Sequence, residues 1–143
     1  MANTMRWRYG DTCPVMLPVL SATVIEIGDL IYLDIDNAKP ASAQADQGTE
    51  AANQELFHDR FAGVAMQQSR SGDTQPIRVA TAGVFEFDCV SGTFEVGKLV
   101  GADENTGGTA LEDQFVTPVN TPNLAIGRCA KRVSPAGTRV LVD

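Results

Sequence analysis

Apolar and polar residues alternate with a period of two over most of the ordered-looking stretches of this chain, and the clearest case is residues 61–87, FAGVAMQQSRSGDTQPIRVATAGVFEF. In Ile77-Arg78-Val79-Ala80 and in Val84-Phe85-Glu86-Phe87-Asp88 the apolar side chains fall on one face of an extended backbone, as a half-buried sheet requires. Ser71-Gly72-Asp73 supplies a turn, because glycine takes positive φ freely and an aspartate hydrogen-bonds nearby backbone. The stretch therefore predicts strand, tight turn and strand, then a glycine corner at Gly83 into a further strand.

The rest of the chain reads in the same terms. Residues 23–27 and 30–35 form apolar, β-branched runs interrupted by a turn or bulge at Gly28-Asp29. Asp34, Asp36 and Asn37 group oxygen ligands, but they lack the glycine and terminal glutamate of a calcium loop, so they read as strand-end turn residues. Residues 37–57 break the pattern with Ala, Gln, Asp and Asn. The first half, AKPASAQADQG, is expected to be loop, and residues 49–57 a short helix with Thr49 as N-cap, Glu50 in the first turn and His58 at the end. Further strands are expected in 92–103 and 111–119. Residues 124–130 and 138–142 are expected to close the chain as a hairpin turned at Ser134-Pro135-Ala136-Gly137. Residues 1–20 have no clean period, and Pro14 and Pro18 exclude a continuous helix or central strand, which leaves an extended arm. The only tryptophan, Trp7, lies in that arm and requires a surface to pack on, in its own domain or in a partner.

Segments 22–34 and 92–103 share a strand, a glycine corner and a strand ending in aspartate. Segments 61–79 and 124–142 share apolar-x-Gly, a polar strand, a glycine turn and a closing β-branched strand. The expected fold is mainly β: a small barrel or sandwich of two pseudo-repeated β units with one short helix in an insert. The expected organisation is an arm over 1–20 and a single β-rich domain over 21–143, with the insert at 37–57.

A length of 143 residues suits one domain with a real core. The formal net charge of -7 disfavours nucleic acid and anionic membrane as partners. Charge is uneven, with a basic C-terminal stretch holding Arg128, Lys131, Arg132 and Arg139. Three cysteines without CxxC spacing and one histidine give little support to a zinc site, and unpaired thiols suit assembly in a reducing cytoplasm. No signal-peptide core or membrane-length apolar run is present. Phosphate-binding glycine loops, nucleophile elbows and zinc-protease motifs are absent. Glu86 and Asp88 share a strand face without cleft-forming companions, and His58 beside Asp59 and Arg60 has no nucleophile or metal partner in view. No catalytic, cofactor-binding or metal-binding residue is assigned.

Ile27-Gly28-Asp29-Leu30-Ile31, Phe61-Ala62-Gly63-Val64-Ala65 with Ser71-Gly72-Asp73, and Ile77 through Phe87 together resemble the capsid cement (decoration) proteins of tailed bacteriophages. Val96-Gly97-Lys98-Leu99-Val100 and Ala125-Ile126-Gly127-Arg128 continue the resemblance, which spans about residues 23–142. It implies a non-enzymatic β-rich homotrimer on the outside of an expanded capsid. Such a protein is made in the host cytoplasm, binds the major capsid protein and needs no cofactor, nucleic acid or membrane. Met5, Arg6, Trp7, Arg8 and Tyr9 are the expected contact with the capsid or a neighbouring subunit, because aromatic residues flanked by arginine are favoured at interface centres. The alternatives are another minor virion protein of head completion or tail, and a small ligand-binding or enzymatic β barrel.

Overall fold

The structure, a computed structural model, describes residues 3–142, with side chains described for residues 3–133. Eleven strands and one helix follow in order: β1 (Arg6–Tyr9), β2 (Val15–Leu17), β3 (Leu30–Asp34), β4 (Asn37–Pro40), α1 (Glu50–Arg60), β5 (Phe61–Ala65), β6 (Ile77–Ala80), β7 (Val84–Phe94), β8 (Leu99–Glu104), β9 (Leu111–Pro118), β10 (Gly127–Arg128) and β11 (Val133–Val142). Short 3₁₀ turns lie at Ala41–Ala43 and Pro122–Leu124. Sheet A runs β1-β7-β9-β8-β10 with β11 also on β7, and sheet B runs β2-β6-β5-β3-β4. The mainly β, two-sheet architecture with a single helix is the one expected from the alternation.

The main core lies between the sheets. Leu30, Tyr32, Val64 and Ala80 of sheet B face Phe85, Phe87, Val100 and Val116 of sheet A, with Phe57 of α1 among them. Sheet B is buried on its second face too, where Ile31, Ala65, Ile77 and Val79 pack against Val19 and Ile25. This explains why Leu30-Ile31-Tyr32 is a continuous apolar run rather than an alternating one. In β7, by contrast, Phe85, Phe87 and Cys89 are buried while Glu86 and Asp88 turn to the other face, as the period of two requires. Ser71-Gly72-Asp73 lies between β5 and β6, which pair antiparallel.

Four expectations are corrected. Asn37–Pro40 is a strand, β4, hairpinned onto β3 in the register Asp34↔Asn37 to Ile31↔Pro40, because the tight turn at Ile35-Asp36 returns the chain directly along β3. The helix continues past residue 57 to Arg60, capped by Thr49 Oγ1 accepting from Ala52 N–H at 3.1 Å. Residues 23–27 form no strand and hold to the body through an isolated bridge, Ile25↔Ser69. The expected closing hairpin does not form. Residues 134–137 lie inside β11, where register shifts absorb the Pro135-Ala136-Gly137 irregularity, and β11 pairs with β7 while β10 pairs with β8.

The repeat holds at the level of individual hydrogen bonds. Glu26-Ile27-Gly28-Asp29 and Glu95-Val96-Gly97-Lys98 are the same turn, closed by Asp29 N–H to Glu26 O at 3.1 Å and Lys98 N–H to Glu95 O at 3.0 Å. Gly28 and Gly97 occupy its third position at φ +99° and +86°, where positive φ calls for glycine. Gly28 N–H donates to Ala65 O and Gly97 N–H to Cys129 O, each at 2.8 Å. Ala65 N–H returns to Asp29 O, and Cys129 N–H to Lys98 O. The pairs Ile31↔Gly63 and Ile31↔Pro40 recur as Val100↔Gly127 and Val100↔Pro118.

Candidate functional site

The N-terminal arm is built into both sheets. Met5 carries a core side chain, and β1 then pairs with β7 in the register Arg6↔Glu86 and Trp7↔Phe85. Thr12 O accepts from Thr81 N–H at 2.8 Å, and Cys13 O from the Thr81 hydroxyl. Between Pro14 and Pro18, β2 then runs antiparallel to β6, from Val15↔Val79 to Leu17↔Ile77. A strand flanked by prolines belongs at a sheet edge, and β2 is the edge strand of sheet B.

A single buried side chain anchors the arm. Gln114 Oε1 accepts from Thr4 N–H at 2.8 Å and Met5 N–H at 3.0 Å. Its Nε2 donates to Ile27 O at 3.0 Å and Asp29 Oδ1 at 2.9 Å. All the hydrogen-bonding capacity of this amide is thereby spent on joining the arm, sheet A and the Gly28 turn. Asp29 completes the cluster by accepting from Glu26 N–H at 2.9 Å. Burial raises the Asp29 carboxyl to about 6, against the opposing pull of the Gln114 and Glu26 hydrogen bonds. Burial likewise raises Asp113, which accepts from the Ser42 backbone and hydroxyl. Nothing in the sequence marked Gln114. A polar residue in a strand becomes legible only when the backbone donors around it are known.

The residues expected at a contact divide. Met5 is 6% exposed and serves the protein's own core. Trp7 is 53% exposed and Tyr9 60%, the Trp7 indole N–H donating to Tyr9 O at 3.0 Å. Trp7 shares a face with Phe85 by register but lies beyond the margin of the core. Arg8 binds Glu86 Oε1 through both Nε at 3.0 Å and a terminal nitrogen at 2.7 Å, and Arg6 donates to Asn3 O and Met5 O. The arm thus offers two aromatic side chains from a strand that is pinned at both ends.

The other candidates for chemistry have structural partners. His58 Nδ1 lies 2.6 Å from Ala125 O and ties the end of α1 to the segment before β10. Asp34 pairs with Lys39 across the β3–β4 hairpin at 2.6 Å. Beside the start of α1, burial raises Glu50 and Asp103, and Asn53 donates to Glu104 at 2.7 Å. Among the described residues no three metal-ligating side chains converge and no helix is long and apolar enough to cross a membrane. Cys13 is exposed, and Cys89 and Cys129 are buried. A cleft of about 70 Å³ between the sheets is lined by Leu30, Val64, Ala80, Phe85 and Phe87 among others, and Thr81 supplies its one polar side chain.

No curated protein matches the sequence. A family model described as phage cement protein matches residues 44–143, from the segment before α1 to the end of the chain, and leaves the arm, β3 and β4 outside the match. Most of the repeat, including the turns at Ser71-Gly72-Asp73 and Gly97, lies within the matched region, and this chain belongs to the phage cement protein family, a family of structural proteins of the phage capsid.

Proposed function

We propose that this protein is a capsid decoration protein: a homotrimer, made in the host cytoplasm, that binds the outer surface of the major capsid protein shell and stabilises it. The mechanism is additive rather than chemical. A protein that binds only the assembled, expanded shell stabilises it by mass action, and repetition over the lattice multiplies the effect. Family membership supports the capsid as the partner. The observation that carries the choice of surface is the exposure of Trp7 and Tyr9 on a strand held rigidly by Gln114 and β7. Aromatic side chains fixed in advance lose little entropy on binding and dominate interface energetics. In this reading Trp7 and Tyr9 meet the capsid protein, Arg6 and Arg8 form the polar rim, and Met5 anchors the strand from within.

Deletion of the arm is a poor test, because it would also remove Met5 from the core and strip Gln114 of its two donors. The Trp7→Ala, Tyr9→Ala double variant leaves those contacts in place. It is expected to fold with an unchanged circular dichroism spectrum and to lose co-sedimentation with expanded capsids at least tenfold. Undiminished co-sedimentation would remove the arm from the capsid contact.

A further inference from the structure

Two of the three edge strands of sheet A, β10 and β11, are assigned to each other by the internal repeat. At Phe85 and Glu86, β7 has β1 on one edge and β11 on the other, and at Asp88 it has β9 and β11. β11 therefore holds one edge of β7 alone, and β1 and β9 share the opposite edge. The sheet has three edge strands, β11 on one side of β7, β1 on the other, and β10 beyond β9 and β8, and among the described residues no strand pairs with the outer edge of any of them.

In the first repeat the corresponding strands, β6 and β5, are hydrogen-bonded together as Val64↔Ala80 and Ala65↔Val79. The correspondence of β5 with β10 follows from sequence and from the shared hydrogen bonds, and that of β6 with β11 from sequence. Phe61-Ala62-Gly63-Val64-Ala65 matches Ala125-Ile126-Gly127-Arg128-Cys129, and Ile77-Arg78-Val79-Ala80 matches Thr138-Arg139-Val140-Leu141. In the first repeat Met66 N–H also donates to Arg78 O at 2.9 Å. The donor in the same place of the second repeat is Ala130 N–H. Val64 faces the core between the sheets, whereas Arg128 in the equivalent place is exposed.

We propose that copies of this chain join head to tail through sheet A, with the outer edge of β11 in one copy pairing antiparallel with β10 of the next. The repeat sets the register: Arg128 opposite Leu141 of the partner subunit, and Cys129 opposite Val140 of the partner subunit. β11 need not leave β7, since a strand has two edges and β7 uses only one of them. The contact is heterologous, so a finite assembly requires a closed ring, and three such contacts make the ring of a homotrimer. The inference shares with the proposed function only the association of copies. It is tested without capsids, so the two can fail separately.

Sedimentation of the full chain is the first measurement. The wild type is expected to run as a discrete oligomer. Ala130→Pro, which removes the outward N–H of an exposed residue, is expected to run as a monomer with an unchanged circular dichroism spectrum. A second variant guards against misfolding by proline: Arg128→Cys with Leu141→Cys in a Cys13→Ser background. On oxidation it is expected to form disulfides between chains, seen as a ladder on a denaturing gel. A monomeric wild type, or a double-cysteine variant that forms no bond between chains, would overturn the inference.

Discussion

The two repeats use one hydrogen-bond scaffold and surround it differently. In both, a Glu-x-Gly turn leads into a strand paired on one side with a short Gly-containing strand and on the other with a strand ending in proline. The first copy is enclosed: the arm covers the Gly28 turn, α1 stands between β4 and β5, and β6 completes the sheet beside β5. The second copy is open. Its Gly97 turn leaves open space where a side chain would stand, only a 3₁₀ turn separates β9 from β10, and its last strand has moved to β7. Backbone pairing is thus the element that recurs, because turn geometry and strand register are interlocked. The side chains over that scaffold have diverged toward burial in one copy and exposure in the other.

The largest expected contrast lies at the two turn glycines. A Cβ on Gly28 would stand 2.7 Å from Met5 Cβ and 2.9 Å from Gln114 Oε1, whereas one on Gly97 meets nothing within 4 Å. Gly28→Ala should cost about 3 kcal/mol, from positive-φ strain together with overpacking, and Gly97→Ala about 1 kcal/mol from strain alone. Chemical denaturation of the two variants measures the difference, and equal costs would break the contrast between a buried and an open turn.

The next contrast is one of pH. Asp29 in the first turn is buried beside Asp113 and Glu26, and its folded-state value of about 6 exceeds the ordinary carboxyl value of 3.8. The folded state therefore holds a proton that the unfolded state releases. The stability linked to this group is fully present below the unfolded value and is lost as pH rises through about 6. Between pH about 4 and about 7 the loss should be on the order of 2 kcal/mol. Asp29→Asn should flatten the profile over that window but not level it, since Asp113, Glu50 and Asp103 are raised in the same sense. Denaturation midpoints across the range test this, and an unchanged slope in Asp29→Asn would assign the effect to the other acids.

The smallest effect separates the hairpin tips. Ile35 turns the first hairpin at φ +59° with 88% exposure, while the longer tip of the second places Gly108 at φ +69°. A β-branched residue is strained in that region and asparagine tolerates it. Ile35→Asn is expected to stabilise the fold by about 1 kcal/mol, read as a raised melting temperature. A loss of stability would show that Ile35 makes a contact within the fold.

Much of this molecule was legible in the sequence. Alternation in residues 77–88 determined which side chains of β6 and β7 are buried, because side chains on an extended backbone alternate faces. The paired glycine turns determined the repeat, because a positive φ limits the residues that can stand there. Thr49 marked the helix start, since an N-cap oxygen satisfies a helix donor locally. Tertiary structure decided what local chemistry does not encode. Asn37-Ala38-Lys39-Pro40 has no strand-forming composition and is a strand because β3 offers it an edge. β11 matches β6 in sequence yet lies on β7, since the choice between two open edges depends on the rest of the sheet. The arm is anchored by Gln114, whose four hydrogen bonds come from residues 85 or more positions away in the chain. Long-range pairing of this kind leaves no period and no motif behind, so it appears only once the chain is folded.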